Sequence, residues 1–83
     1  MKRILITDTH LGHKKASDLY LELTAQLFED IGTYAQEHEI VELIHLGDFF
    51  DNRRVLNVKT LNYAHTIAGI LDRDFETYII FAP

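Results

Sequence analysis

Two short strings hold residues whose types and spacing can do chemistry. Asp8-Thr9-His10-Leu11-Gly12-His13 follows an apolar run closed by Thr7, and Gly47-Asp48-Phe49-Phe50-Asp51-Asn52-Arg53-Arg54 follows a second one. Residues separated by one in extended chain point the same way, so Asp8 and His10 can offer a carboxylate and an imidazole to one metal ion from the same side of a strand end. Gly47 lets the backbone approach closely whatever sits there, and Asp48 leaves its strand aimed at the same rim, where its carboxylate can bridge two cations. Each string alone is weak: Asp-x-His is also what a capped turn with an incidental histidine looks like, and Gly-Asp is also a simple turn. Phe49 and Phe50 read as core packing. The chain has no Cys, which excludes disulfides, thiolate metal sites and a Cys nucleophile, and leaves His, Asp, Glu and Asn as ligands. Oxygen and imidazole donors favour hard or borderline divalent metals.

These strings need elements to aim them. Three β-type runs, Arg3 to Thr7, Glu42 to Leu46 and Thr77 to Phe81, are rich in Ile, Leu, Tyr or Phe. Their near-continuous apolar character suits parallel strands covered on both faces. Between the first two, a helix is predicted from Ser17 or Asp18, with Leu19, Tyr20, Leu23, Leu27, Ile31, Tyr34 and Ala35 on its buried face. Between the second and third, Asn57 is the expected N-cap, and Leu61, Ala64, Ala68 and Leu71 mark one face. The order β-α-β-α-β places the chain in the α/β class with a parallel sheet and right-handed crossovers. If both helices lie on one side, the other sheet face is bare. Ligands in open α/β sheets sit beyond the carboxyl ends of the strands, where both strings fall. A dinucleotide-binding reading also fits this order, but the first turn lacks G-x-G-x-x-G.

Eighty-three residues allow at most one small domain. With 47% apolar and 25% charged residues the composition is that of a folded chain. No apolar run approaches the roughly 20 residues a membrane span needs, and the run after Lys2 and Arg3 is too short for a signal peptide, so the expected compartment is the cytoplasm. A net charge of −5 gives no basic footprint for nucleic acid, although bound metal would neutralise carboxylates locally. His45 lies inside a strand run and reads as a packed core residue. His38 and His65 read as helix-end or partly exposed, His13 as a surface residue, and Lys14 and Lys15 as a solvated loop pair.

Asp-x-His followed by Gly-Asp-x-x-Asp, each after an apolar strand, resembles the first two signature blocks of the calcineurin-like metallophosphoesterases. The fuller string is similar to SbcD-type DNA nuclease subunits and their phage recombination counterparts, and covers essentially the whole chain. The resemblance implies the N-terminal part of a four-layer αββα sandwich. It implies that Asp8 and His10 hold a first metal, that Asp48 bridges two, and that the pair, manganese by expectation, clamps a phosphodiester and activates water. Asp51 would stand beside the metals without ligating them. Arg53 and Arg54 would hold DNA phosphates, or be two solvated loop cations. The family's third block, Gly-Asn-His-Asp or Glu, belongs where the chain reads Phe81-Ala82-Pro83, and its later His ligands have no match here. Residues 1–83 are therefore expected to be the N-terminal portion of a single metallophosphoesterase domain, inactive alone and with no catalytic His. The parent would act on DNA in recombination or repair, paired with a coiled-coil ABC-type ATPase subunit, and a complementary C-terminal fragment is an expected partner. Two alternatives stand beside this: a metallophosphoesterase for a nucleotide, phosphoprotein or pyrophosphate, and a non-catalytic remnant or binding module.

Overall fold

The computed structural model describes residues 2–11, 18–49 and 58–81. Its elements run β1 (Ile4–Ile6), α1 (Asp18–Glu37), β2 (Glu42–His45), α2 (Val58–Asp74) and β3 (Thr77–Ile80). The three strands form one parallel sheet in the order β1-β2-β3. Ile4 pairs with Leu43 and Ile6 with His45; on the other side of β2, Glu42 pairs with Thr77 and His45 with Ile80. The α/β class and the β-α-β-α-β order are as the sequence implies.

Each element has a local cause. Asp18 in the first turn of α1 complements the positive end of the helix dipole. The helix ends in a Schellman motif built without glycine: Glu39 takes a left-handed φ of 57°, Ile40 N–H donates to Ala35 O at 2.8 Å, and Glu39 N–H donates to Gln36 O at 3.4 Å. Ile40 is buried, which anchors the turn that feeds β2. Arg73 lies in the last turn of α2, where a cation suits the negative helix end. Glu76 and Thr77 both donate to Val41 O, which starts β3 beside β2.

Both helices cover one sheet face. Leu43 and His45 point into a core of Leu21, Phe28, Ala35, Ile67, Ile70, Leu71 and Phe75, with Ile4, Ile6 and Tyr78 packed at its edge. Full burial of a side chain such as Phe28 is worth about 1.5–3 kcal/mol. The helices are locked together by Asp74, whose buried carboxylate accepts from Gln36 Nε2 at 2.8 Å and, through both oxygens, from Arg73 at 2.7 and 2.8 Å. Arg73 also reaches Glu29 at 3.3 Å. Gly32 of α1 lies directly under that carboxylate, in space a Cβ would have to share with it.

The opposite face carries the cross-strand row Leu5, Ile44 and Ile79, with Leu46 and Phe81 beyond it and the Arg3–Glu42 ion pair, 3.0 Å long, before it. Leu5 is 60% exposed there. The strands are thus covered on one face by the described residues, not on both as their composition suggested.

The predicted helix faces need correction. In α1 the core side is Leu21, Phe28, Gly32 and Ala35, whereas Leu19, Tyr20, Leu23, Leu27 and Tyr34 are exposed. Their stripe is centred about 120° around the axis from Phe28. A period of 3.6 marks an apolar arc but does not choose between two adjacent ones, and only the position of α2 and the sheet does. In α2, Leu71 is buried as expected. Leu61 is exposed, Ala64 and Ala68 are half-buried, and Ile67, Ile70, Thr60 and Asp74 complete the packed side. Asn57, the expected N-cap, lies outside the described residues.

Candidate metal centre

The chains leaving β1 and β2 stay side by side after the regular strands end. Leu46 N–H donates to Ile6 O, Asp8 N–H to Gly47 O, His10 N–H to Asp48 O and Leu11 N–H to Phe49 O, at 2.6 to 3.0 Å. This extended zipper pins Leu11 and Phe49, both buried, into the core and holds the polar residues between them at the carboxyl rim. Phe49 packs on Phe28, ring centroids 6.1 Å apart.

Asp8, His10 and Asp48 converge at this rim: one ligating atom from each lies within 4.8 Å of the others. His10 Nε2 stands 3.4 Å from Asp8 Oδ1. All three residues take left-handed backbone, with φ of 57°, 48° and 55°, and Gly47 takes 138°. Outside glycine such conformations cost of order 1–3 kcal/mol each and persist only where the surroundings enforce them. Their concentration on these side chains singles out the rim, since the remaining described non-glycine case, Glu39, is a helix cap.

The route to convergence differs from the one the spacing suggested. Asp8 and His10 do not share a side of extended strand; they meet because the backbone turns at each of them, with hydrogen bonds to the neighbouring chain fixing both turns. Gly47 too has a different reason. A Cβ there would meet open space, so the glycine is required by its φ rather than by crowding.

Charge at the rim favours a cation. Thr7 Oγ1–H donates to Asp8 Oδ2 at 2.8 Å and holds the Asp8 carboxyl below the ordinary carboxylate range, with hydrogen bonding to Asp48 and then the His10 charge acting in the same direction. Two carboxylates and an imidazole form a donor set that fits a hard or borderline divalent metal. Asp8 and Asp48 would each supply an oxygen and His10 a nitrogen.

Thr7, Thr9 and His45 were not singled out as part of this site by sequence reasoning. His45 is fully buried, as expected of a core residue, but its ring is polar-bonded on both edges: Gly47 N–H lies 3.2 Å from Nδ1 and Thr9 Oγ1 3.0 Å from Nε2. Burial pushes the imidazole below its ordinary value, opposed by the Asp8 and Asp48 charges. The available signal was a histidine inside an apolar strand and a Thr on each side of Asp8. His38 and His65 are exposed, as expected. Asp51, Arg53 and Arg54, and with them His13, Lys14, Lys15 and Phe50, lie outside the described residues.

The fold and rim together define a parallel α/β unit with a cation-ready triad at its carboxyl edge. Comparison with models of known families finds no match to this chain, and comparison with curated proteins finds none either. No helix among the described residues is long and apolar enough to cross a membrane.

Proposed function

We propose that this chain supplies the N-terminal part of a two-metal phosphodiesterase of the calcineurin-like type, acting on DNA in the cytoplasm beside a coiled-coil ABC-type ATPase subunit. The observation that carries the reading is the convergence of Asp8, His10 and Asp48 within 4.8 Å at the strand ends. Asp8 and His10 would hold a first cation and Asp48 would serve both, manganese being the expected metal. The metals supply charge neutralisation at a phosphodiester and a water of lowered pKa. The protein's part is to fix three donors on strained backbone before any metal arrives. Three donors would leave most positions of a cation to water, so binding by this chain alone would be weak. The face of Leu5, Ile44 and Ile79, which no described residue covers, supports the same reading, because the four-layer family sandwich sets a second sheet there.

The test is a Mn²⁺ titration of the isotope-labelled chain followed by assays on linear DNA. Paramagnetic broadening should centre on Asp8, His10 and Asp48 and vanish in Asp48→Asn, and the chain alone should release no nucleotide. Broadening spread over surface carboxylates would refute the metal centre. Turnover by the chain alone, abolished by Asp48→Asn, would refute the partial-site reading.

A further inference from the structure

One hydrogen-bonded chain threads between the two loops that carry the candidate ligands. Gly47 N–H donates to His45 Nδ1 at 3.2 Å, so that nitrogen presents its lone pair and the ring proton sits on Nε2. Nε2–H then donates to Thr9 Oγ1 at 3.0 Å, and the Thr9 hydroxyl proton goes to Phe49 O at 3.1 Å. Every donor meets one acceptor and the direction is fixed from Gly47 to Phe49. The reverse tautomer would set two N–H groups against each other at Nδ1.

The placement of these groups is specific. Thr9 stands between Asp8 and His10, and Gly47 and Phe49 flank Asp48. His45 occupies the helix-covered side of β2, with no exposed surface and its ring edge on Phe49 at a centroid distance of 5.3 Å. Thr9 turns inward while Asp8 and His10, its neighbours on either side, converge at the rim. We infer that the His45–Thr9 pair is a positioning device that braces the two loops at the separation where Asp8, His10 and Asp48 can share one cation. The inference rests on the metal reading above for its purpose but not for its geometry. Any buried histidine needs partners for its ring nitrogens, but here they are Thr9 from one ligand-bearing loop and Gly47 from the other. A brace needs both, because the outward backbone turns at Asp8, His10 and Asp48 are unfavourable and relax once the inward side lets go.

The experiment has a metal-free arm and a metal arm. In the wild-type chain with EDTA, ring ¹⁵N shifts of His45 should show the proton on Nε2; a proton on Nδ1 would overturn the relay with no variant needed. Thr9→Val keeps the shape and removes the hydroxyl, whereas Thr9→Ser keeps the hydroxyl. Amide exchange at Asp8, His10 and Leu11 should quicken in Thr9→Val and return toward wild type in Thr9→Ser. With Mn²⁺ followed by its free-ion EPR signal, Thr9→Val should bind about tenfold more weakly, the usual cost of losing a group that orients metal ligands, and Thr9→Ser within about twofold of wild type. Wild-type loop protection and wild-type Mn²⁺ affinity in Thr9→Val would overturn the brace. If the wild-type chain binds no Mn²⁺, the metal reading falls by itself, and the tautomer and exchange results still decide the brace.

Discussion

The molecule contains two polar clusters that solve opposite problems. Between the helices, the buried Asp74 carboxylate is gripped through both oxygens by Arg73 and capped by Gln36, so every charge there has a partner of the other sign. Arg73 first, then its charge, pulls the Asp74 carboxyl below the ordinary range, and Asp74 in turn raises the Arg73 guanidinium. At the sheet rim, Asp8 and Asp48 are brought together beside His10, with the Thr7 hydroxyl on Asp8, on backbone that three of the residues adopt at a cost. The first cluster pairs a carboxylate with a guanidinium, whereas the second gathers two carboxylates and an imidazole, groups that can hold a metal ion. Perturbed groups of the second kind mark functional sites more often than those of the first.

The sharpest way to break this contrast is a pair of substitutions with opposite signs. Gly32→Ala places a methyl where the Asp74 carboxylate sits and should lower the unfolding free energy by about 2 kcal/mol, whether or not cation is present. Asp48→Asn should raise the urea midpoint in EDTA, by relieving like-charge crowding, and should erase the further rise that Mn²⁺ gives the wild-type chain. Urea unfolding with and without Mn²⁺ reads both. Equal losses from the two variants would mean that the rim is structural and the contrast false.

Titration separates the clusters next. His45 is neutral in the fold because burial lowers its pKa, while the unfolded chain takes up the proton near the ordinary 6.5. The unfolded state therefore binds more protons below that value, and His45's contribution is complete above pH 6.5 and is lost as pH falls from there toward the depressed folded value. Asp74 behaves as a depressed carboxylate: its contribution is present above the ordinary 3.8 and disappears only on acidification below it. Unfolding free energy measured from pH 7.5 to 3 should show the His45 loss first, and replacing His45 by Gln should remove that first slope. A profile flat between pH 6.5 and the carboxylate range in the wild-type chain would contradict the buried neutral ring.

The smallest effect on stability is expected on the uncovered sheet face. Ile44→Lys in the centre of the Leu5, Ile44, Ile79 row should shift the unfolding midpoint little, since one side of that row already meets solvent, yet should reduce self-association in sedimentation across a concentration series. A concentration-independent monomer in the wild-type chain would show that this face needs no cover.

Local pattern was enough for the class and for the placement of chemistry. Ile4–Ile6, Glu42–His45 and Thr77–Ile80 are strands because short β-branched and aromatic runs bounded by polar residues suit little else, and the alternation with helical periodicity leaves a parallel sheet as the economical arrangement. That Asp8, His10 and Asp48 leave the same edge follows from chain direction alone, since parallel strands send all their carboxyl ends one way. Tertiary structure decided the rest. Which arc of α1 is buried depends on where α2 and the sheet lie, so Leu21 and Phe28 are core while the equally apolar Leu23 and Leu27 are not. The left-handed turns at the three candidate ligands, and the contact of the His45 ring with Thr9, come with hydrogen bonds between residues 36 or more apart in sequence, which no reading of either string by itself contains. The pattern of apolar residues dictates elements because it is local and repeated; the shape of a site is set by single long-range contacts, which leave no period to read.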